Sequence, residues 1–188
     1  MSLPNPSRTV KFTYEDYLLF PEDGKRHELI DGEHYMTPAP SLKHQIVVQN
    51  LSRTLGQYVY ERKLGRLFVA PVDVVLSDVD VVQPDLLFVS KANASRLTEK
   101  HVRGAPDLVV EVLSEVTRKT DERIKRKLYE KYGVTEYWVV DPELEGVKVF
   151  RLTPKGYERA EELGPDDPVP LRSPLFPDLE IPLRKIFE

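Results

Sequence analysis

The sequence predicts an α/β (α+β) protein in which a mixed β-sheet is flanked by helices, and three observations carry that expectation. From about Ser41 to Arg62, apolar residues recur close to every 3.6 positions, the period of an amphipathic helix. Two strand-rich runs follow, RLFVAPVDVVL over 66–76 and VVQPDLLFV over 81–89. The stretch 106–141, PDLVVEVLSEVTRKTDERIKRKLYEKYGVTEYWVVD, then reads as strand, helix, strand. Helices interleaved with strands in this order pack as layers around a sheet.

In chain order, a short helix is expected near Thr13–Phe20, with Asp16 three residues after Thr13 as a capping signature. Arg26–Ile30 and Glu33–Met36 flank Asp31-Gly32, a dipeptide suited to a type I′ hairpin turn. The connector Thr37-Pro38-Ala39-Pro40 leads into the long helix, whose apolar positions are Leu42, Ile46, Val47, Leu51, Leu55, Tyr58 and Val59. Pro71 marks a bulge or an edge in the first strand run, and Pro84-Asp85 interrupts the second. Residues 91–102 are polar, a short helix or a covering loop. Leu108–Leu113 is apolar and β-branched enough for a buried strand. A helix follows over about Thr117–Tyr132, closed by Gly133 where a left-handed residue would sit. Strands over Glu136–Val140 and Val147–Leu152 come next, then a proline-rich tail ending in a short helix around Leu183–Phe187.

At 188 residues the chain is expected to form one domain, 1–188. Hydrophobic content of 40% and charged content of 31% describe a globular protein, and no apolar run is long enough to span a membrane. The stretch MSLPNPSRTVKF has no apolar core of the secretory type, and no cysteine occurs, so the expected location is the cytoplasm. The lack of cysteine also rules out thiol catalysis and thiolate metal sites. No phosphate-binding glycine loop, dinucleotide fingerprint or GxSxG elbow is present. A net charge of −4 is unhelpful for nucleic-acid binding, yet residues 118–131 hold seven basic side chains against three acidic ones. A solvated helix face and a phosphate-facing patch both account for that run.

Polar residues planted in apolar strands mark the candidate site. Glu111 interrupts the run 108–113, and a carboxylate buried there needs a cation, a donor or a raised pKa. Asp85 interrupts the earlier strand, and pairing of the two strands would bring both carboxylates to one pocket. At about 100° per residue, Ile124, Leu128, Tyr129 and Tyr132 share one arc of the following helix, and Lys125 lies within it, about 40° from Tyr129. Asp121 sits one turn earlier, about 40° from Lys125. Oxygen-only ligands suit Mg²⁺ or Mn²⁺, and salt-bridge partners are the plain alternative for such carboxylates. Asp73 alternates with apolar neighbours and is expected to face water, while Tyr137 and Trp138 are expected in the core.

The pattern Pro84-Asp85, then Glu111 in a strand, then a lysine, resembles the PD-(D/E)XK nuclease superfamily with its restriction-endonuclease-like fold. Within it the chain is similar to the Uma-two family. The likeness runs through HELIDGE at 27–33, Pro40 with His44, APVDVVLSD at 70–78 and VVQPDLLFVS at 81–90. It continues in PDLVVEVLS at 106–114, Asp121 with Lys125 and Tyr129, and GVTEYWVVDP at 133–142. In the superfamily a lysine stands two residues after the glutamate; here that position is Leu113. The resemblance therefore implies a lysine supplied from the next helix, and Lys125 is the candidate.

What the resemblance implies is a metal-dependent endonuclease hydrolysing phosphodiester bonds of nucleic acid, DNA in the first place. Asp85 and Glu111 would hold Mg²⁺ or Mn²⁺, and Lys125 would orient the attacking water and stabilise developing charge. Glu28 resembles the superfamily's additional acidic residue, with a solvent-facing hairpin position as its alternative. His44 is expected as a structural residue or a substrate contact, and Asp121 supports Lys125. Arg123 and Lys127 are the expected nucleic-acid contacts. A homodimer is expected by analogy with nucleases that cut two strands. The competing expectation is a nuclease-fold module that binds nucleic acid or assembles with protein without cleaving. A hydrolase of carbohydrate or nucleotide using two carboxylates would leave the lysine without a role.

Overall fold

The computed structural model describes residues 10–188, so the N-terminal nine residues, which bear on the secretory-signal expectation, lie outside the described part. Helix α1 (Tyr14–Tyr17) is short and starts with a complete capping box between Thr13 and Asp16. Strands β1 (Arg26–Ile30) and β2 (Glu33–Thr37) form the expected hairpin, paired from Arg26↔Thr37 to Ile30↔Glu33. Its two turn residues have positive φ, 52° at Asp31 and 72° at Gly32, as a type I′ turn demands.

Helix α2 (Leu42–Glu61) begins at Ser41, whose side chain accepts from the His44 amide. Its buried stripe runs from His44 and Val47 to Val59, whereas Leu42 and Ile46 are exposed, against the periodic expectation. The first turn borders a cavity, and His44 rather than Leu42 is the residue turned inward there.

The two strand-rich runs each divide between two sheets, where the sequence pattern suggested one. β3 (Gly65–Val69) and β6 (Leu86–Ser90) pair with each other in one sheet, while β4 (Val74–Val75) and β5 (Val81–Val82) pair in the other. The breaks fall at 70–73 and 83–85. Proline at 71 and 84 supplies no amide to a ladder, so each run has a natural point at which to leave its sheet. A 3₁₀ segment, Lys91–Arg96, follows β6 and lies against β6 and β3.

β7 (Val102–Arg103) completes a five-stranded sheet in the order β2-β1-β5-β4-β7. β8 (Leu108–Val112), β9 (Glu136–Asp141), β10 (Gly146–Thr153) and β11 (Gly156–Leu163) complete a six-stranded sheet, β11-β10-β9-β8-β6-β3. Both sheets are mixed: β4 pairs parallel to β7, and β8 parallel to β9. β11 has no counterpart in the sequence reading. GYERAEEL lacks an apolar face, and as an edge strand with one partner it is only partly covered.

The connection from β8 to β9 is helical, but not uniformly so. Thr120–Lys125 is wound as a π-helix and runs straight into α3 (Arg126–Tyr132), which ends at Gly133 with φ 80°. Strand alternation separates two cores. Leu86, Phe88, Leu108, Val110, Trp138 and Val140 face α2 and the tail, which ends in α4 (Arg184–Phe187). Leu87, Val109, Leu113, Tyr137 and Val139 face the five-stranded sheet and α3. Among the described residues no helix is long and apolar enough to cross a membrane.

Candidate active site

Alternation along β8 decides where Glu111 points. It shares the parity of Val109 and Leu113, so it turns toward α3 and the smaller sheet and not toward α2. β6 and β8 pair antiparallel with Leu86↔Val110 and Leu87↔Val109; one step further, the same register sets Asp85 opposite Glu111. Both carboxylates are buried. Their pairing therefore follows from a residue sitting just where a proline ends one sheet and starts the other.

The Asp85 carboxylate is held on both oxygens. Oδ2 accepts from the Val112 amide at 2.8 Å and from His44 Nε2 at 3.0 Å, and Oδ1 accepts from Arg26 Nη1 at 2.5 Å. Glu111 Oε1 accepts from Lys125 Nζ at 3.1 Å and from the Tyr129 hydroxyl at 2.7 Å. The same ammonium lies 2.9 Å from Glu28 Oε2 and 3.5 Å from Asp121 Oδ1. Glu28 is anchored in turn, since its Oε1 accepts from the Gln83 amide at 2.8 Å.

Three buried side-chain atoms among the described residues have no hydrogen-bond partner: His44 Nδ1, Gln83 Oε1 and Asp121 Oδ1. The 3.5 Å approach of Lys125 to Asp121 is an ion-pair distance without hydrogen-bond geometry, so Asp121 Oδ1 counts in both descriptions. All three residues line one cavity of about 320 Å³, together with Arg26, Glu28, Asp85, Glu111 and Lys125. Buried polar atoms are normally paired, and a group of orphans around one cavity is the mark of a site prepared for something polar.

Sequence reasoning thus placed Asp85, Glu111, Lys125, Glu28, His44 and Asp121, and the structure brings all six to this cavity. Arg123 and Lys127 are exposed and do not line it. Asp73 is turned inward, correcting the expectation that it faces water: its Oδ1 accepts from the Tyr17 hydroxyl at 2.7 Å and from Gln83 Nε2 at 2.8 Å. Tyr137 and Trp138 are core residues. Two site residues, Arg26 and Gln83, escaped the reading, and a third, Tyr129, was read on the inward arc without a role. Arg26 stands two positions before Glu28 on one strand, and that spacing puts both on one face. Gln83 is an amide inside an apolar run, and Tyr129 carries a hydroxyl on the inward arc.

The helical wheel needs correction as well. Drawn at α-helical pitch, it puts Ile124 inward, but Ile124 is exposed while Lys125 is 4% exposed. π-winding adds residues to the turn, so the wheel drifts across 120–125, and such segments are frequent at functional sites. Leu113, at the superfamily's lysine position, is packed in the core between the sheets.

By formal count the carboxylates of the cavity outnumber its cations. Four buried carboxylates, Glu28, Asp85, Glu111 and Asp121, face two permanent cations, Arg26 and Lys125. Burial pushes Asp85 upward, but its hydrogen bond from His44 and the Arg26 guanidinium outweigh that and hold it below the ordinary range. Burial pushes the Glu111 carboxyl well up, the Lys125 ammonium opposing and the neighbouring carboxylates adding. Asp121 is raised for the same first reason. Burial alone would lower Lys125, yet Glu111, Glu28 and Asp121 hold it well above the usual lysine value. Glu115 and Glu143 on the rim keep the mouth acidic too.

A hard divalent cation fits this donor set. The acceptors are oxygens, the carboxylates outnumber the cations, and Asp121 Oδ1 is buried without a hydrogen-bond partner. Among the described residues no three His, Cys, Asp or Glu side chains are arranged to enclose an ion by themselves. A cation there would be held by one or two carboxylates and completed by water.

With that geometry in place, comparison with known proteins gives the lineage. A family model, Uma2, described as "Putative restriction endonuclease", matches residues 14–184, and the chain belongs to that family. Among solved structures it is similar to one titled a "putative nuclease" of the DUF820 group from Anabaena variabilis, at a TM-score of 0.78 and 20% identity. The match covers 94% of this chain and 97% of that one, and it shows a shared fold. No curated protein matches the sequence.

Proposed function

We propose that the protein is a metal-dependent endonuclease that hydrolyses phosphodiester bonds of nucleic acid, with DNA as the favoured substrate. One observation carries the reading: a buried ammonium, Lys125, is fixed among carboxylates that outnumber the cations of their cavity. Phosphate cannot approach so acidic a pocket until a cation offsets it. Membership of a family described as "Putative restriction endonuclease" and a similar solved structure described as a "putative nuclease" support the same activity.

Asp85 and Glu111 would hold Mg²⁺ or Mn²⁺, which when bound supplies charge neutralisation at phosphate and a more acidic water. The chain's own groups do the rest. Val112 and His44 fix the Asp85 carboxylate, and Tyr129 fixes Glu111. Lys125, immobilised from three sides, stabilises charge developing on the phosphate without reorganising. Cutting both strands of a duplex takes two such cavities, so the proposal includes a homodimer, checked by light scattering.

One observation favours a second reading, a module that binds without cleaving: both Asp85 oxygens already have partners. The test is an assay of the purified protein on single- and double-stranded DNA and RNA. Cleavage is expected in Mg²⁺ or Mn²⁺, silence in EDTA, and loss in Asp85→Asn. A wild type that binds the metal and cuts none of the substrates moves the function to binding.

A further inference from the structure

The two cations of the cavity are not equivalent. Lys125 has a side chain only 5% exposed and three carboxylates within 3.5 Å, so no single exchange frees it. Arg26 has a side chain 24% exposed and, among the described residues, makes one carboxylate contact, Nη1 to Asp85 Oδ1 at 2.5 Å. Its carboxylate is unevenly held. Asp85 Oδ2 is tied to a backbone amide and to His44, while Oδ1 has Arg26 alone among the described residues. Oδ1 is therefore the oxygen that another cation can take without breaking the backbone contact. The occupant it would replace sits on a long side chain that already reaches solvent.

We propose that Arg26 is a displaceable counter-ion of Asp85: it occupies Oδ1 in the metal-free protein and competes with an entering divalent cation for that oxygen. The inference rests on the metal-dependent reading above and adds a gate to it. In the metal-free protein the Arg26–Asp85 pair adds to the Val112 amide and His44 in holding a buried carboxylate in place. Metal loading then costs the separation of that pair and places a guanidinium against a like charge. Both effects weaken the apparent affinity, so the site fills only when free cation is plentiful.

The test measures Mn²⁺ binding, by the paramagnetic resonance signal of the free ion, for the wild type, Arg26→Gln and Arg26→Lys. Arg26→Gln should bind Mn²⁺ about tenfold more tightly, the scale of one lost charge-assisted contact. Arg26→Lys, which keeps the charge, should stay within about threefold of the wild type by the same measure. Circular dichroism checks that each variant is folded. A measurement on the wild type itself removes any dependence on variant folding: the Arg26 side-chain Nε–H resonance should shift as Mg²⁺ is added. Equal or weaker Mn²⁺ binding by folded Arg26→Gln, or an unmoved Arg26 resonance while Mg²⁺ binds, overturns the counter-ion role and leaves the metal-dependent reading standing. No Mn²⁺ binding by any of the three proteins removes that reading, and this inference with it.

Discussion

The Lys125 ammonium lies 3.1 Å from the Glu111 carboxylate although the two residues belong to different elements, a π-wound helical turn and a central strand. A lysine on the strand itself, at position 113, would have sat between the two sheets, where Leu113 now packs with Leu128, Tyr129 and Val139. Supplying the ammonium from the helix lets that position stay apolar. It also lets Asp121, one turn earlier, share the same charge. The π-wound segment ends at Lys125, and the α-helix that follows carries Tyr129 to the same carboxylate.

Lys125→Met is expected to lose cleavage while keeping Mn²⁺ binding, which separates charge stabilisation from metal ligation. It also strips three buried carboxylates of their shared cation. Breaking a buried pair on one side costs about 3–5 kcal/mol, and urea denaturation of the metal-free protein should show a loss of that order. Added Mg²⁺ should recover part of it. A variant as stable as the wild type in EDTA would mean that the ammonium contributes nothing to holding the cluster.

Asp85→Asn and Glu111→Gln keep side-chain volume and most hydrogen bonds, so both should fold and both should lose cleavage by roughly two orders of magnitude or more. Rates on a labelled duplex in Mg²⁺ decide the matter. Equal rates for the wild type and Glu111→Gln would point to a contaminating nuclease.

Much of this site was legible before any coordinates, because each signal was a polar residue in an apolar setting. Asp85 after a proline, Glu111 amid valines and Lys125 on an apolar arc all carry a local cost that something must offset. The helix and hairpin boundaries were legible for the same local reason: Ser41 caps α2, Asp31-Gly32 turns β1 into β2, and Gly133 closes α3. What escaped was non-local. Arg26 looks like any exposed arginine until β1 is brought beside Asp85 by the rest of the fold. The split of each strand run between two sheets depends on which partners lie alongside, and β11 needs only an edge to add to. Ile124 went astray because a wheel assumes one pitch and the backbone changes pitch there.

The raised Glu111 carboxyl gives a pH dependence with a definite sign. Its pKa in the folded protein lies well above the ordinary 4.5, burial being the first cause, so between those two values the folded state binds more protons than the unfolded one. Stability from this group is present below 4.5 and is lost as pH rises towards the folded value. Glu111→Gln removes the titration, so in EDTA the variant should melt above the wild type at pH 7–8. The gap should close as pH falls below about 4.5. Melting curves across that range check it; a gap that persists unchanged at pH 4 would have to come from packing and not from charge.

The exposed face of the same helix offers the last test. Arg123 and Lys127 point away from the cavity, and Arg123 borders a groove with Arg126, Lys148 and Arg159 across to β10 and β11. If nucleic acid reaching the active site also runs along this face, each contacted phosphate releases counterions, and affinity falls with salt by about 0.9 in the log–log slope per contact. The double variant Arg123→Glu, Lys127→Glu should then bind a labelled duplex more weakly and flatten that slope by about two units. Its melting temperature should stay near that of the wild type, because both side chains are exposed. Fluorescence anisotropy at several salt concentrations measures both quantities. An unchanged affinity and slope would assign the basic run to a solvated face and leave substrate binding to groups nearer the cavity mouth.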